Sequence, residues 1–508
     1  MPTVDLLVIG GGVHGAAVAR DAALRGLSVV LAEKDDLASG TSSRSSKLAH
    51  GGIRYLETRQ FGLVREALAE RSILLRTAPD FVRPLPFVLP FYPGDERPAW
   101  KIKIGLKLYD AFARAKDLPP HRLLSPAEAL ALEPSLPAPG LKGAALYHDA
   151  QVDDALLVVA NAVAAARAGA DVRTRCEVRA LEPAGAGPQP TWRALLSDDS
   201  TVEARVVVNA AGPWLDVVRG RAGLASPPSL RPTRGAHIVV PAITLGRALL
   251  LFARRDHRVF FVLPWGSRSL VGTTDTDVGL DQDPDAVAPT ADDVRYLWDE
   301  IAARWPDHPA ARDPLAATRR VFAGLRPLAR TGSGKPWDHS REARLLDERG
   351  LISLAGGKYT TARHLAERAV DRAVRHLRRP AAPCATAELV LPGPSGPLLS
   401  GARSGWLAQS TETTGTNPDL ARADVELAIE YQFARGVGDV LLRRSALWLD
   451  AHAIRAAAPR VAGWMAERLG WTPETRAREV ADVLAQLEAE DGVRREAAAC
   501  PRAPGAGR

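Results

Sequence analysis

The apolar and polar positions at the start of the chain follow a strand, helix, strand order. An apolar run, Val4–Ile9, leads into a turn with glycine at three positions, Gly10, Gly12 and Gly15. An alanine-rich stretch with helical spacing follows, and a second apolar run ends on the acidic residue Glu33. Because parallel strands are joined by such a crossover helix, this order predicts a βαβ unit.

The three glycines form a Gly-x-Gly-x-x-Gly dinucleotide-binding fingerprint. Gly10 permits the tight turn, Gly12 removes a side chain that would block a pyrophosphate, and Gly15 lets the helix approach the strand. The helix N-terminus then offers free N–H groups to the phosphates. Glu33 is placed to accept hydrogen bonds from ribose hydroxyls and disfavours a 2′-phosphate, so the motif predicts FAD or NAD rather than NADP. The alternative is an ordinary glycine turn in an α/β protein.

The rest of the chain divides into helix-like and strand-like segments. Helical spacing predicts helices at residues 61–76, 97–116, 153–168, 291–305, 358–377, 421–433, 439–449, 453–469 and 472–489, and a short capped helix after Ser125. Runs typical of strands occur at 87–91, 171–176, 192–196, 202–208, 234–241, 259–265, 269–275 and 351–355. Polar stretches at 329–341 and 400–417 are predicted to be loops, and the tail from 500 is predicted to fray.

These segments predict an α/β fold with three parts. We expect a Rossmann-type dinucleotide domain at residues 1–380, interleaved with an antiparallel-sheet substrate domain to which roughly 45–150 and 215–340 contribute. An all-helical domain is expected at 381–508. The strand at 202–208 is predicted to return to the first sheet.

Composition narrows the class of protein. With 508 residues, 46% of them hydrophobic, the chain is long enough for two or three domains. No run approaches the ~20 apolar residues of a membrane-spanning helix, and neither a signal peptide nor a metal site is predicted. The cysteines, Cys176, Cys384 and Cys500, are far apart, which favours a reducing cytosol. The net charge of +7 favours an anionic partner: a phosphorylated substrate, a lipid surface or nucleic acid.

A longer motif follows the first βαβ unit. From Thr41 to Glu57 the chain reads Thr-Ser-Ser-x-Ser-Ser-Lys-Leu-x-His-Gly-Gly-x-Arg-Tyr-Leu-Glu. This run resembles that of the FAD-dependent glycerol-3-phosphate dehydrogenases, in the D-amino-acid-oxidase-like flavoprotein superfamily. The resemblance implies FAD as the cofactor and a Rossmann-type FAD-binding domain. It also implies oxidation of the C2 hydroxyl of sn-glycerol 3-phosphate to dihydroxyacetone phosphate, with electrons passing to a membrane quinone.

Cofactor contacts are expected from three further segments. Hydroxyl groups beside a dinucleotide site can hydrogen-bond a pyrophosphate, and a helix start after a double-glycine turn would direct N–H groups at the pyrimidine end of a flavin. The resemblance implies that backbone after the strand at 202–208 passes close to FAD. The residues concerned are Thr41, Ser42, Ser46, Ala211, Gly212, Gly357 and Thr360.

Substrate contacts are implied by the resemblance. It assigns the phosphate to Arg54, Tyr55, Thr274 and Lys358, and the reacting C2 oxygen to Arg326. Guanidinium groups suit bidentate contacts with phosphate, whereas lysine supplies a point charge.

A proton acceptor for the hydroxyl group is expected to be a histidine, because imidazole titrates near neutral pH. The candidates are His237, which starts a strand predicted to face the substrate, and His50, which lies in the flavin loop. His237 is the favoured candidate, and each of the two remains open as a structural histidine.

Cations alternate with aromatic and aliphatic residues from Arg97 to Lys116. This pattern is typical of a helix on an anionic membrane surface, and equally of a domain helix with an inward apolar face. We expect a cytoplasmic protein, peripheral on the inner face of the cell membrane, with a possible homodimer through the helical domain and no nucleic-acid partner. The alternatives are a glycerol-3-phosphate oxidase that uses O2, a noncatalytic glycerol-phosphate-binding flavoprotein, and a tRNA-modifying FAD protein. A contiguous aromatic and basic RNA-binding motif is absent from the sequence.

Overall fold

The computed structural model describes residues 3–95, 97–113, 115–184, 191–224, 228–279, 282–330, 343–393 and 420–499. The loops predicted at 329–341 and 400–417 and the tail from 500 lie wholly or largely outside these residues.

The helices of the described residues match most of the predicted helical segments to within a few residues. They are α1 (Val13–Leu24), α2 (Phe61–Thr77), α3 (Ala99–Phe112), α4 (Pro126–Leu132), α5 (Asp154–Arg167), α6 (Leu215–Arg221), α7 (Ala291–Ala302), α8 (Pro309–Arg312), α9 (Pro314–Ala317), α10 (Ala362–Leu377), α11 (Arg422–Tyr431), α12 (Val437–Arg443), α13 (Ala451–Leu469) and α14 (Pro473–Ala499).

The strands belong to two sheets. In chain order they are β1 (Val4–Ile9), β2 (Val29–Ala32), β3 (Leu48–Ala49), β4 (Val82–Phe91), β5 (Arg122–Leu124), β6 (Gly143–Val152), β7 (Asp171–Arg173), β8 (Val178–Ala184), β9 (Thr191–Leu196), β10 (Thr201–Asn209), β11 (Leu230–Pro241), β12 (Ala248–Phe252), β13 (Val259–Trp265), β14 (Arg268–Gly272), β15 (Thr276–Asp277), β16 (Arg320–Ala329), β17 (Arg344–Glu348) and β18 (Leu351–Ala355).

The first sheet has the order β17-β18-β10-β1-β2-β7. Strands β7, β2, β1, β10 and β18 are parallel, as the βαβ prediction requires. Strand β10 begins in an antiparallel pair with β9 and then joins β1, so the predicted return to the first sheet is confirmed. The chain therefore leaves β1 towards β2 on one side and reaches β10 on the other, which creates a crevice at the carboxyl end of β1.

Helices α1, α5 and α10 cover the first sheet. The buried face of α1 is largely alanine, including Ala16, Ala19 and Ala22, and small side chains let the helix approach its neighbours closely. The aliphatic residues of α5 and α10 complete this core. Burial of these faces on folding supplies the hydrophobic stabilisation that holds the glycine turn in place.

The second sheet has the order β15-β11-β14-β13-β12-β4-β6-β3, with β16 added beside β11 and β5 beside β6. Its pairs are antiparallel except for β12 with β4, so the predicted antiparallel sheet is confirmed. The pair β11 and β16 matters for the site, because Thr233 lies opposite Arg326 and His237 lies opposite Phe322.

Helices α11 to α14 form the C-terminal helical region around a separate apolar core. The predicted helix at 439–449 is instead α12 followed by a short 3₁₀ turn, Ala446–Leu449. The predicted end of the last helix near residue 489 is wrong, since α14 continues to Ala499. Within the described part of the chain, none of the helices combines the length and apolar character needed to cross a membrane.

Candidate active site

A cavity of about 430 Å³ opens at the carboxyl end of the first sheet. Its wall includes Gly10 after β1, Glu33 after β2, Ala211 after β10 and Gly357 after β18. This is the crevice in which open α/β sheets bind their ligands. The predicted site residues that line it are Gly10, Gly12, Glu33, Thr41, Ser42, Ser46, His50, Ala211, Gly212, His237, Arg326, Gly357, Lys358 and Thr360.

The glycine turn is shaped by close backbone contacts. Gly10 has φ +103°, a left-handed conformation that favours glycine, and a Cβ there would lie 2.8 Å from the Ala210 carbonyl oxygen. A Cβ on Gly15, which lies behind the turn, would be 1.8 Å from the carbonyl oxygen of Gly10. Gly12 is the N-cap of α1 and lines the cavity together with Val13 and His14, so the helix N-terminus faces the cavity. This arrangement fits a pyrophosphate.

Glu33 occupies the predicted position at the end of β2. Its carboxylate accepts hydrogen bonds from the backbone N–H groups of Gly11, at 2.5 Å, and Asp35, at 2.8 Å. Burial raises the pKa of Glu33 to about 7, although both hydrogen bonds oppose the shift. The carboxyl group is therefore fixed at the cavity wall by the fingerprint itself.

Hydroxyl groups of the serine-rich loop connect the loop to strand β16 of the second sheet and to helix α1. Thr41 donates to the carbonyl of Leu325 at 2.6 Å, and the Ser42 hydroxyl accepts from the Val13 N–H at 2.9 Å. Thr360 accepts a hydrogen bond from the His50 N–H at 3.1 Å. The predicted helix start at residues 358–361 is a turn, and α10 begins one residue after Thr361.

His237 and Arg326 face the cavity from neighbouring strands. They lie on one face of the β11 and β16 pair, because side chains alternate along a strand and the pair Gly235 and Gly324 lies between them. A Cβ on Gly235 would be 2.2 Å from Nη2 of Arg326, so the guanidinium lies over this glycine. The two glycines make room for a long cation beside the imidazole.

Arg326 is held by groups from the segment after β14. It forms an ion pair with Asp275 at 3.0 Å and donates to the Thr273 hydroxyl at 2.8 Å and to the Thr274 carbonyl at 3.1 Å. Both partners of the ion pair are mostly buried. The guanidinium is thus fixed in position before any ligand binds.

His237 is a buried, neutral imidazole. Its Nε2 lies 2.9 Å from the Ser46 hydroxyl, and its ring stacks on Phe322 with centroids 5.2 Å apart. Among the described residues, Nδ1 has no hydrogen-bond partner. Burial lowers the pKa of His237 to about 3, and the charges of Arg326 and Lys47 add to the shift. The imidazole is therefore neutral near neutral pH, and it becomes a stronger proton acceptor only when a nearby anion raises its pKa.

Lys358 enters the cavity from the turn after β18. Its Nζ lies 3.5 Å from the ring centroid of Tyr55, an attractive cation–π contact. The guanidinium of Arg54 lies 5.7 Å from the same ring. Arg54 and Tyr55 do not line the cavity. The Tyr55 ring contacts Lys358, and Lys358 lines the cavity.

Thr274 is placed differently from the expectation. It does not line the cavity, and its hydroxyl donates to Asp293 at 2.9 Å while accepting from the Ala236 N–H at 2.9 Å. Both contacts are internal to the protein. The position therefore favours support of Arg326, through the Thr274 carbonyl, over contact with a phosphate.

Known proteins match this chain over most of its length. A family model described as FAD dependent oxidoreductase matches residues 5–372, and one described as the C-terminal domain of alpha-glycerophosphate oxidase matches 398–476. The glycerol-3-phosphate dehydrogenase of Synechocystis sp. is 36% identical over 526 aligned positions, covering 92% of this chain and 94% of the relative. The chain belongs to the FAD-dependent glycerol-3-phosphate dehydrogenase and oxidase family.

A second relative and a solved structure are also similar to this chain. The D-erythritol 1-phosphate dehydrogenase of Brucella abortus is 44% identical over 382 residues, covering 74% of each chain. The solved structure of the glycerol-3-phosphate dehydrogenase from Bacillus halodurans, complexed with FAD, aligns with a TM-score of 0.73 at 27% identity, covering 97% of this chain and 96% of that one. FAD is accordingly the cofactor of this FAD-dependent oxidoreductase, and the cradle of Gly10, Gly12 and Glu33 fits it.

Sequence reasoning missed several residues of this flavoprotein site. His14 and Arg44 line the cavity, and Thr273 and Asp275 fix Arg326. Burial lowers the pKa of His14 to about 4, against a hydrogen bond to the Lys358 backbone. A signal was present for each: His14 stands within the fingerprint, Arg44 within the serine-rich run, and the other two flank the predicted Thr274.

Proposed function

We propose that the protein oxidises the C2 hydroxyl of sn-glycerol 3-phosphate to dihydroxyacetone phosphate. The observation that carries the proposal is that Arg326, Lys358 and His237, distant along the chain, line one cavity with the dinucleotide turn. Such a reaction requires cations for a phosphate dianion, a proton acceptor and a flavin site shielded from water.

In this proposal Lys358 binds the phosphate from the cavity wall, and Arg54 and Tyr55, which lie behind it, contribute charge and support. The contact between Lys358 and the Tyr55 ring holds the ammonium group at the cavity wall, and Arg54 lies close to the same ring. The positive charges of Lys358 and Arg54 repel each other, and a bound phosphate would offset this repulsion. We assign Thr274 a supporting role instead.

The proton of the C2 hydroxyl passes to His237, and Arg326 stabilises negative charge on the oxygen. His237 lines the cavity and is neutral, because burial lowers its pKa to about 3, and the substrate phosphate would raise this pKa towards the value that a proton acceptor needs. His50 is the alternative acceptor and lines the same cavity. Bound FAD supplies the hydride acceptor.

The electrons then leave to a membrane quinone, with O2 as the alternative acceptor. One experiment tests both the product and the electron acceptor. The FAD-loaded protein is incubated with glycerol 3-phosphate and a soluble quinone under argon, and the dihydroxyacetone phosphate formed is measured. We expect product in proportion to quinone reduced. Turnover that requires air and releases peroxide would instead identify an oxidase.

A second candidate substrate is a longer polyol phosphate. It is favoured by the 44% identity to D-erythritol 1-phosphate dehydrogenase, a higher value than for the glycerol-3-phosphate dehydrogenase of Synechocystis sp.. The two substrates share a phosphate and a secondary hydroxyl, so Lys358 and Arg326 would serve both. Comparison of kcat/KM for glycerol 3-phosphate and D-erythritol 1-phosphate distinguishes them, and the larger value identifies the substrate.

The outer face of α3 supports contact with the cytoplasmic face of an anionic membrane. The helix packs Ile102 and Leu106 inward, yet Trp100 is 65% exposed and Ile104 is 52% exposed. Exposed lysines stand between these apolar residues. Apolar anchors among cations suit the interface of an anionic bilayer, each cation adding about 1 kcal/mol.

Sedimentation with vesicles containing phosphatidylglycerol tests this contact. We expect the variant Trp100→Ser with Ile104→Ser to remain in the supernatant while the unmodified protein sediments. The matched control is Leu245→Ser, which removes an apolar residue that is 67% exposed in a loop between β11 and β12. Equal sedimentation of all three proteins would contradict the proposal.

A further inference from the structure

A buried ion-pair cluster joins the C-terminal helical region to the loop that follows Glu33. Asp36, which is 1% exposed, accepts two hydrogen bonds from Arg444, each 2.6 Å long, and one of 2.5 Å from Arg443. The fork-to-fork contact with Arg444 is geometrically specific. These residues lie more than 400 positions apart in the chain.

The loop that contains Asp36 contacts the dinucleotide turn directly. The Ala38 N–H donates to the Gly11 carbonyl at 3.1 Å. The side chain of Leu37 packs on Gly11, and a Cβ on Gly11 would be 2.9 Å from Cδ2 of Leu37. The Asp35 N–H holds Glu33, whose other carboxylate oxygen accepts from Gly11. Displacement of this loop would therefore disturb both Gly11 and Glu33.

The arginines are themselves fixed from the helical side. Asp439 accepts a hydrogen bond from Arg443 at 2.8 Å and another from Arg175 at 2.8 Å. Arg444 also donates to the backbone carbonyl of Gln432. Burial alone would raise the pKa of Asp36, but Arg444 and Arg443 outweigh it and hold the pKa below its ordinary value. The cluster is thus ionised and rigid.

A second buried ion pair attaches the same helices elsewhere. Arg320 at the start of β16 donates to both carboxylate oxygens of Glu490 in α14, at 2.6 and 2.7 Å. Both side chains are at least nine-tenths buried. This pair docks the helices on the second sheet and does not contact the loop after Glu33. The second pair therefore distinguishes docking of the helices from the hydrogen bonds that Asp36 accepts from Arg443 and Arg444.

We propose that Arg443 and Arg444 are positioning residues for FAD: by holding Asp36 they press the loop at 35–38 against Gly11 and Glu33. The C-terminal helical region, for which sequence alone suggested packing or dimerisation, then sets the affinity for the cofactor.

The test compares Arg444→Gln and Arg443→Gln with the control Glu490→Gln in the full-length, FAD-loaded protein. FAD release is followed by flavin fluorescence on dilution, and the thermal midpoint is measured in parallel. We expect Arg444→Gln to raise the Kd for FAD by about 10- to 100-fold, a loss of the size found when groups that orient metal ligands are removed. Glu490→Gln should lower the thermal midpoint and change this Kd less than either arginine variant does.

Arg444→Lys provides the conservative comparison, because it keeps the charge and loses the two-pronged contact. Its Kd should fall between those of the unmodified protein and Arg444→Gln. If Arg444→Gln does not fold, Arg443→Gln, which retains the Arg444 pair, should still raise the Kd. An unchanged Kd in the arginine variants, or an equal rise in Glu490→Gln, would overturn the proposal.

Discussion

Arg326→Gln is expected to slow substrate oxidation while leaving FAD bound. Arg326 does not touch the glycine turn, and its guanidinium lies over Gly235 on the same strand face as His237. Glutamine is shorter and neutral, so the developing charge on the substrate oxygen loses its cation. Removing one such preorganised donor typically costs about 100- to 1,000-fold in kcat.

The same substitution has a separate effect on stability. The side chains of Arg326 and Asp275 are 19% and 14% exposed, so the variant removes a mostly buried ion pair from one side. Removing one partner of a buried ion pair lowers the free energy of unfolding by about 3 kcal/mol or more. We expect a value of about 3 kcal/mol here, because both side chains keep some contact with solvent. The loss of rate must therefore be distinguished from unfolding.

The assay is anaerobic stopped-flow reduction of the flavin by glycerol 3-phosphate, with urea unfolding in parallel. The double variant Asp275→Asn with Arg326→Gln also removes the carboxylate charge that faced Arg326, so it should regain stability but not the rate of flavin reduction. Flavin reduction at the unmodified rate in Arg326→Gln would refute the assigned role. Recovery of the rate in the double variant would show that Arg326 acts through folding alone.

Two further predictions concern buried histidines and glycines. Histidine in the unfolded chain has a pKa of 6.5, whereas the pKa values of folded His14 and His237 are about 4 and 3. Below pH 6.5 the unfolded state therefore binds more protons than the folded state, and the free energy of unfolding decreases as the pH falls. His14→Asn should flatten this decrease in urea unfolding at a series of pH values, and an unchanged slope would contradict the shift. Gly15→Ala should abolish FAD content, whereas Gly105→Ala, with open space around it in α3, should stabilise by about 0.5–1 kcal/mol in thermal unfolding. Normal flavin content in Gly15→Ala would be inconsistent with the 1.8 Å contact.

The parts of the fold that the sequence predicts are those with local signals. The βαβ unit is encoded by apolar runs, a glycine turn and an acid within a few dozen residues, and the meander of β9 and β10 by alternation around a polar turn. The length of α14 is not predictable in this way, because Ala497 in its last turns packs into the core of the second sheet. No local pattern marks that contact.

Placement of the site residues shows the same division. The glycines and Glu33 are close together in the sequence, so the fingerprint predicts where they lie. Thr274 is turned inward because its hydroxyl contacts Asp293 at the start of α7, and Arg326 is fixed by Asp275, 51 residues away. Such pairings depend on the register of strands and helices that are distant in sequence.

The proposed function requires cations from distant segments to create one site for a phosphorylated alcohol beside the flavin. This requirement can be tested by anaerobic titration of the FAD-loaded protein, first with glycerol and then with glycerol 3-phosphate. Glycerol should leave the flavin absorbance unchanged, and glycerol 3-phosphate should bleach it with saturating dependence on concentration. Bleaching by both alcohols alike, or by neither, would contradict it.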